Sequence, residues 1–343
     1  MLRIDPETLD FPLPEELVAQ EPLAQRDQAR LIVIHRGTGR IEHRHFSNLG
    51  EYLRAGDLLV INKARVNRAR VFGKKKSGGK VELLFLGPTD DKALWRALAR
   101  PPLKEGTAVT LDGGFKGTIV GRTGEGEHLV RCEFDPMKAM EAAGRLPLPP
   151  YIKRAPSDLR SKMDEEYYQT VYAAAPGSVA APTAGLHFTL DQLGALQKAG
   201  VRVADIVLHV GWGTFRPIAQ SVATHTMLPE RYEVPKVAME EIVAARREGR
   251  RIVAVGTTAT RTLESLPDDQ KAEDVSAEAS LFIRPGFSFR WTGALITNLH
   301  VPRSTPVSLT AAFAGIENLQ RAYAEAVRER YRFYSYGDAM LVV

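Results

Sequence analysis

The chain has 343 residues, 44% hydrophobic and 25% charged, a length that suits two domains and an apolar content ample for real cores. No segment approaches the ~18 consecutive apolar residues of a membrane helix, and Cys132, the only cysteine, excludes an intrachain disulfide and a cysteine-based zinc cluster. A soluble protein of the reducing cytoplasm is therefore expected, and 46 Lys and Arg against 41 Asp and Glu, formally +5, favour acidic partners without naming one.

Along the chain, "PEELVAQ" reads as a short helix, "ARLIVIHR" and "RIEHRHF" as strands joined at "GTG", and "GDLLVIN" as a further strand. From there to about residue 135 short alternating segments such as "ARVFGKK", "KVELLFLG" and "HLVRCEF" are separated by the glycine turns "SGG", "DGG" and "GEGE", the pattern of a compact antiparallel β-barrel. Arg65, Arg68, Arg70, Lys74, Lys75, Lys76 and Lys80 cluster within it, and a second basic group lies near Arg328 and Arg332. Either patch alone also reads as a solvated turn or helix end. The proline-rich "AAGRLPLPPYIKRAPSDL" is an extended connector, because each proline holds the residue before it out of the helical region.

Beyond the connector, Thr189 and Gln192 form a capping box ahead of the helix "LDQLGALQKAG", and "VRVADIVLHVG" is a buried strand. Pro235 opens a helix that Gly249 closes, "RIVAVG", "SLFIRPG", "GALITNLH" and "AMLVV" read as strands, and "TPVSLTAAFAG" and "NLQRAYAEAVRER" as helices. The expected fold is α/β: an open α/β barrel-like main domain, residues 1–64 and 150–343, with a small antiparallel β-barrel and its connector inserted at 65–149.

Several strands of the second half end in loops of small residues with one titratable side chain: His187, His209 with Arg216, Arg261, and His300 with Arg303. In open α/β sheets ligands bind at the carboxyl ends of strands, so these loops are expected to converge on one crevice. Gly256, Thr257 and Thr258 at a helix start suit an anion such as a carboxylate or phosphate, or form a plain strand-to-helix turn. Gly211 and Gly213 flanking Trp212 let a planar ligand approach the backbone, or mark a core Trp beside a bulge. There is no GxxxxGK[ST], GxGxxG, HExxH or GxSxG pattern, which leaves nucleotide hydrolysis, hydride transfer, zinc chemistry and serine hydrolysis weakly supported.

At these loops, and in "PLAQRDQARLIVI", "LRAGDLLVIN", "LPLPPYI", "YYQTVYA", "GSVAAPTAGLHFT", "LHVGWGTFRP", "AVGTTATRTLES", "FIRPGFSF", "ITNLHVPRST" and "YRFYSYGDAML", the chain resembles the S-adenosylmethionine:tRNA ribosyltransferase-isomerase family of queuosine biosynthesis over nearly its whole length. The resemblance implies transfer of the ribosyl part of S-adenosylmethionine, a consumed substrate and not a resident cofactor, onto 7-aminomethyl-7-deazaguanine at the tRNA wobble position. Epoxyqueuosine forms, adenine and methionine leave, and no metal is required. The reaction needs a base for the carbon beside sulfur, an acid for departing adenine and donors for the methionine carboxylate. The resemblance offers His187, His209 or His300 for the acid and base, with Glu230 among the retained residues. It offers Thr257, Thr258 and Arg261 for the carboxylate, Trp212 and Phe215 for adenine, and Thr183 and Gly185 in the same substrate loop. Asp338 and Arg216 are expected to orient the aminomethyl base and its phosphate. A tRNA anticodon loop is the expected partner, met by the Arg65 to Lys80 patch or by Arg303, Arg332 and Tyr336. A monomer is the default assembly.

The chain departs from the family pattern at "NKARVNRAR", where Lys63, Asn67 and Arg68 alter a turn, and at "HTMLPE", where Leu228 and Pro229 replace a usual histidine and serine while His225, Met227 and Glu230 survive. "TNLHVPRSTPVSL" puts Pro306 at a helix start. A relative that binds tRNA or a nucleoside without turnover is the rival reading, and a phosphate-binding hydrolase resting on "GTTATR" is a third.

Overall fold

The computed structural model describes residues 6–155, 158–215, 218 and 225–343. Strands β1 (Arg30–His35), β2 (Arg40–His45), β3 (Leu58–Asn62) and β4 (Ala64–Val66) come first. They are followed by β5 (Arg70–Lys75), β6 (Lys80–Pro88), β7 (Leu94–Arg100), β8 (Ala108–Leu111), β9 (Lys116–Arg122) and β10 (His128–Cys132), and by helices α1 (Pro136–Ala143) and α2 (Arg160–Tyr167). The second half carries β11 (Ala175–Ser178), α3 (Leu190–Lys198), β12 (Arg202–Leu208), β13 (Glu230–Val234), α4 (Lys236–Arg247), β14 (Ile252–Val255) and α5 (Gly256–Ser265). It ends with β15 (Val275–Ala279), β16 (Ala294–Asn298), α6 (Thr305–Ala314), α7 (Ile316–Arg328) and β17 (Ala339–Val342). Two compact units result: Met1–Arg65, Pro150–Ala175 and Ala181–Val343, and Val66–Pro149 with Pro176–Ala180.

In the first unit nine strands form one open mixed sheet in the order β15, β13, β12, β3, β14, β16, β17, β1, β2. β12, β3, β14 and β16 run parallel. The final strand β17 enters between β16, antiparallel, and β1, parallel. The runs that form β3, β14, β16 and β17 are buried at every residue, which is why they read as unbroken apolar stretches without a period-two alternation. Geometry still alternates: Leu31, Val33, Leu59, Ile61, Val253, Val255, Ala294, Ile296, Ala339 and Leu341 share one cluster with Phe46, Phe188, Leu193 and Leu196. α5 leaves the end of β14 directly and packs back on β3, β14 and β16.

The second unit is a closed antiparallel barrel in the order β10, β7, β6, β5, β8, β9. Here the alternation is plain, and Val71, Val81, Leu83, Phe85, Val109, Leu111, Ile119 and Val130 fill the interior. Cys132 belongs to this core, and burial pushes its thiol up to about 12, so it is an inert packing residue. α1, absent from the sequence reading, starts at an Asp135 cap whose Oδ1 accepts from the Met137 amide at 2.9 Å, with Pro136 in its first turn.

Three local expectations change. "SLFIRPG" is not a strand; the strand is the preceding Val275–Ala279, an edge strand paired with β13, and the Pro285–Gly286 turn breaks any extension of it. The Thr189 hydroxyl does accept from the Gln192 amide at 3.1 Å, but the Gln192 side chain donates to the Phe46 carbonyl at 2.8 Å instead of closing the capping box. His209 falls one residue past the end of β12 rather than inside it.

Candidate active site

The end of β12 is fixed to β3 by Asn62, which is fully buried and exchanges hydrogen bonds with both backbone groups of Leu208 at 3.0 Å. His209 comes next, its amide donating to the Arg231 carbonyl at 3.0 Å. Its Nδ1 is buried without a partner, and burial lowers its pKa, so the ring is neutral near pH 7. Two residues on, the Gly211 amide donates to Glu230 Oε1 at 2.7 Å. Glu230 in turn pairs with the guanidinium of Arg261 on α5, and both groups are buried. Arg261 also donates from Nε to the Leu281 carbonyl at 3.2 Å and from Nη2 to the Ala279 carbonyl at 2.8 Å. Arg261 is thus a cation held on three sides.

α5 begins at Gly256, whose φ of +88° glycine adopts without strain and whose open side lies against Ala184. The first-turn amides of such a helix and its dipole favour an anion. Thr258 in that turn is 9% exposed, and its hydroxyl has no hydrogen-bond partner. Thr257, Thr258 and Arg261 line a solvent-open cleft of about 350 Å³ whose other walls include Met227, Phe282 and Pro306.

The segment Thr183–His187 is a short 3-10 helix. A side chain at Gly185 would come within 2.0 Å of the Tyr172 hydroxyl, so only glycine fits. Thr183 Oγ1 donates to Asn298 Oδ1 at 2.9 Å, and Asn298 Nδ2 faces His187 Nε2 at 3.0 Å and the Tyr334 carbonyl at 3.4 Å. A carbonyl accepts only, which orients the Asn298 amide, makes His187 Nε2 an acceptor and leaves the imidazole proton on Nδ1. Burial, then Arg26 and Arg332, pushes the His187 pKa down to about 3. His187 lines a second solvent-open cleft, about 290 Å³, with Arg26, Tyr167, Leu186, Ser335 and Tyr336. Among the described residues, Arg261 and His187 thus line separate clefts.

Other expected site residues are engaged within the fold. His300 Nε2 sits 2.6 Å from Thr297 Oγ1, its amide donates to the Tyr323 hydroxyl at 2.8 Å, and burial pushes it down to about 3. Both oxygens of Asp338 accept backbone amides, from Arg30 at 2.9 Å and Arg332 at 2.8 Å, so this carboxylate staples chain segments. Tyr336 donates to Asp164 Oδ1 at 2.9 Å, and Arg303 is ion-paired with Asp10. Trp212 is half-buried in a 3-10 turn that ends at Phe215. The Phe215 side chain and all of Arg216 lie outside the described residues. Leu228 packs on the open face of Gly213, 2.9 Å from where a Cβ would sit.

Arg65 is exposed on β4. In the barrel unit Lys80 on β6 stands directly opposite Lys74 on β5, both exposed, with Lys76 in the connecting turn. Like charges in that register repel, an arrangement that bound anions relieve. Residues 66–149 hold 15 Lys and Arg against 10 Asp and Glu, so their +5 equals the net charge of the whole chain.

Sequence reading missed Asn298, Arg26, Tyr167, Ser335 and Phe282. A signal existed for Asn298, a polar residue closing the apolar "ALIT" run. None marked Arg26 as a wall of the His187 cleft.

An open α/β sheet with clefts at the ends of its parallel strands, interrupted in sequence by a basic barrel, is the architecture of an α/β enzyme. Residues 7–342 match the family model described as "Queuosine biosynthesis protein", and the chain belongs to this family. It is 46% identical over 337 residues to the S-adenosylmethionine:tRNA ribosyltransferase-isomerase of Thermotoga maritima, covering 97% of this chain and 98% of that protein. It is 48% identical over 342 residues to the protein of the same name from an Anaeromyxobacter species, covering 97% of each. The crystal structure of S-adenosylmethionine tRNA ribosyltransferase from Thermotoga maritima is similar at a TM-score of 0.57 and 37% identity, covering 98% of this chain and all of that one.

Proposed function

We propose that this chain transfers and isomerises the ribosyl part of S-adenosylmethionine onto 7-aminomethyl-7-deazaguanine at the tRNA wobble position, giving epoxyqueuosine-tRNA, adenine and methionine, in the cytoplasm. The observation that carries the reading is the match of residues 7–342 to one family, with relatives bearing that activity's name at 46% and 48% identity. Among the described residues no helix is long and apolar enough to cross a membrane.

The cleft at α5 suits the methionine end of S-adenosylmethionine. Its carboxylate takes the first-turn amides and the Thr258 hydroxyl, while Met227 and Phe282 face the apolar chain. Arg261, neutralised by Glu230, serves as a wall and not as a free cation. For the base that removes a proton beside the sulfonium, His209 is the assignment: its Nδ1 has no partner, whereas Nε2 of His187 and of His300 are engaged. The Lys74–Lys80 hairpin meets the RNA backbone.

The test is incubation with S-adenosylmethionine and tRNA carrying the aminomethyl-deazaguanine, followed by nucleoside mass spectrometry and an adenine assay. Epoxyqueuosine with adenine is the expected result. Neither product, with tRNA still bound, leaves the reading of a binding protein.

A further inference from the structure

We infer that the second cleft, between Arg26, Tyr167 and His187, is the seat of the adenine ring of S-adenosylmethionine, held by a hydrogen bond from His187 Nδ1 to a ring nitrogen. The inference rests on the proposed ribosyl transfer. A ribosyl group transferred out of S-adenosylmethionine leaves two fragments behind, one flat and uncharged, one a small zwitterion, and the two clefts differ in the same way.

The lining of the cleft comes first. Its walls are apolar or aromatic at Pro22, Leu23, Ala29 and Tyr167. The Arg26 guanidinium lies over the Tyr167 ring, 4.9 Å from its centroid. Three of its N–H groups are already used, on the carbonyls of Gln169, Leu186 and Glu166 at 3.0 to 3.1 Å. It therefore acts as a fixed positive wall more than as a grip for a free phosphate.

Charge then separates the candidate rings. Among the described residues no carboxylate lines the cleft, and Arg26 and Arg332 are the charges acting on its histidine. The aminomethyl group of the deazaguanine is an ammonium at neutral pH and is repelled there, whereas adenine carries no charge and offers ring nitrogens as acceptors. The Asn298 amide fixes which histidine nitrogen meets the ring, since Nε2 accepts from Asn298 and Nδ1 alone can donate.

The 3-10 helix Thr183–His187 joins the two clefts. Ala184, next to its start, packs on Gly256 at the head of α5, and its last residue lines the second cleft. At roughly 2 Å rise per residue this segment spans ~8 Å, a distance that suits one donor molecule lying along it.

The experiment measures binding of adenine, 3-deazaadenine and 7-deazaadenine to the whole protein and to two variants. His187→Gln keeps an acceptor for Asn298 but no donor where Nδ1 stood; His187→Asn keeps that donor and gives up the hydrogen bond with Asn298. Adenine should weaken about tenfold in H187Q and far less in H187N, the loss of about one hydrogen bond. One of the two deaza analogues should bind wild type about tenfold more weakly than adenine and bind H187Q no differently from it. Thermal melting of both variants separates a binding loss from unfolding. Equal adenine affinity in wild type and H187Q, equal binding of all three bases by wild type, or displacement of adenine by inorganic phosphate overturns the inference. Failure of the underlying reaction shows differently: wild type then makes no epoxyqueuosine whatever its affinity for adenine.

Discussion

Arg261 on α5 and Glu230 on β13 form an ion pair buried from solvent, joined through Glu230 to the Gly211 amide. One ion pair thus ties the wall of the α5 cleft to the loop beyond His209. Removing one partner strands a buried charge, so Glu230→Gln or Arg261→Met should cost about 3–5 kcal/mol of stability. The double variant E230Q/R261M should recover part of that loss. Urea unfolding of the three proteins measures it, and losses that simply add would show that the two side chains act independently.

Thr258→Val should behave in the opposite way. The hydroxyl has no partner within the protein, so its removal leaves unfolding stability unchanged or slightly higher. KM for S-adenosylmethionine should rise by about tenfold, the worth of roughly one hydrogen bond to a charged group. A stability loss with unchanged KM would remove the carboxylate from this cleft.

The opposed lysines of the barrel give a prediction in salt. Lys80→Glu turns a repulsive cross-strand pair with Lys74 into an attractive one, worth about 0.2–1 kcal/mol to the barrel. tRNA affinity should nevertheless fall, and the slope of log affinity against log salt should become shallower by about 0.7 for each single-strand phosphate that the variant no longer neutralises. Equal slopes for wild type and K80E would exclude the hairpin from the RNA interface.

Two histidines make acid stability measurable. Burial holds His187 and His300 down at about 3, against about 6.5 in an unfolded chain. Between those values the unfolded chain binds protons that the folded protein does not, so their contribution is full above about pH 6.5 and declines as pH falls towards 3. H187Q should show a shallower loss of stability between pH 6 and 4 than wild type. Identical slopes would mean that the His187 ring titrates as freely folded as unfolded.

Much of this architecture was legible because the central strands are apolar without interruption: "LLVIN", "IVAV" and "ALIT" have no other stable place than the middle of a sheet. Val275–Ala279 escaped because an edge strand with three exposed residues out of five carries no apolar signature. That Thr257, Thr258 and Arg261 share one cleft was legible, since a strand, a glycine and a helix start stand in succession along the chain. The His187 cleft was not. Asn298 stands 111 residues from His187, and Arg26 reaches the cleft from the other end of the unit's sequence. Side chains of that kind are brought together by the sheet order, which places the last strand, β17, between β16 and β1. Asp338 shows the converse, a carboxylate conspicuous in "YSYGDAM" whose oxygens are both taken by backbone amides.

The most direct measurement of the central claim traces the carbon skeleton. S-adenosylmethionine labelled throughout its ribose is incubated with the protein and with tRNA carrying the aminomethyl-deazaguanine, and the wobble nucleoside is weighed by mass spectrometry. Gain of the complete labelled ribosyl skeleton, with one free adenine and one free methionine for each modified tRNA, is the expected outcome. Label left on S-adenosylmethionine, or transfer of its methyl group alone, would contradict the account.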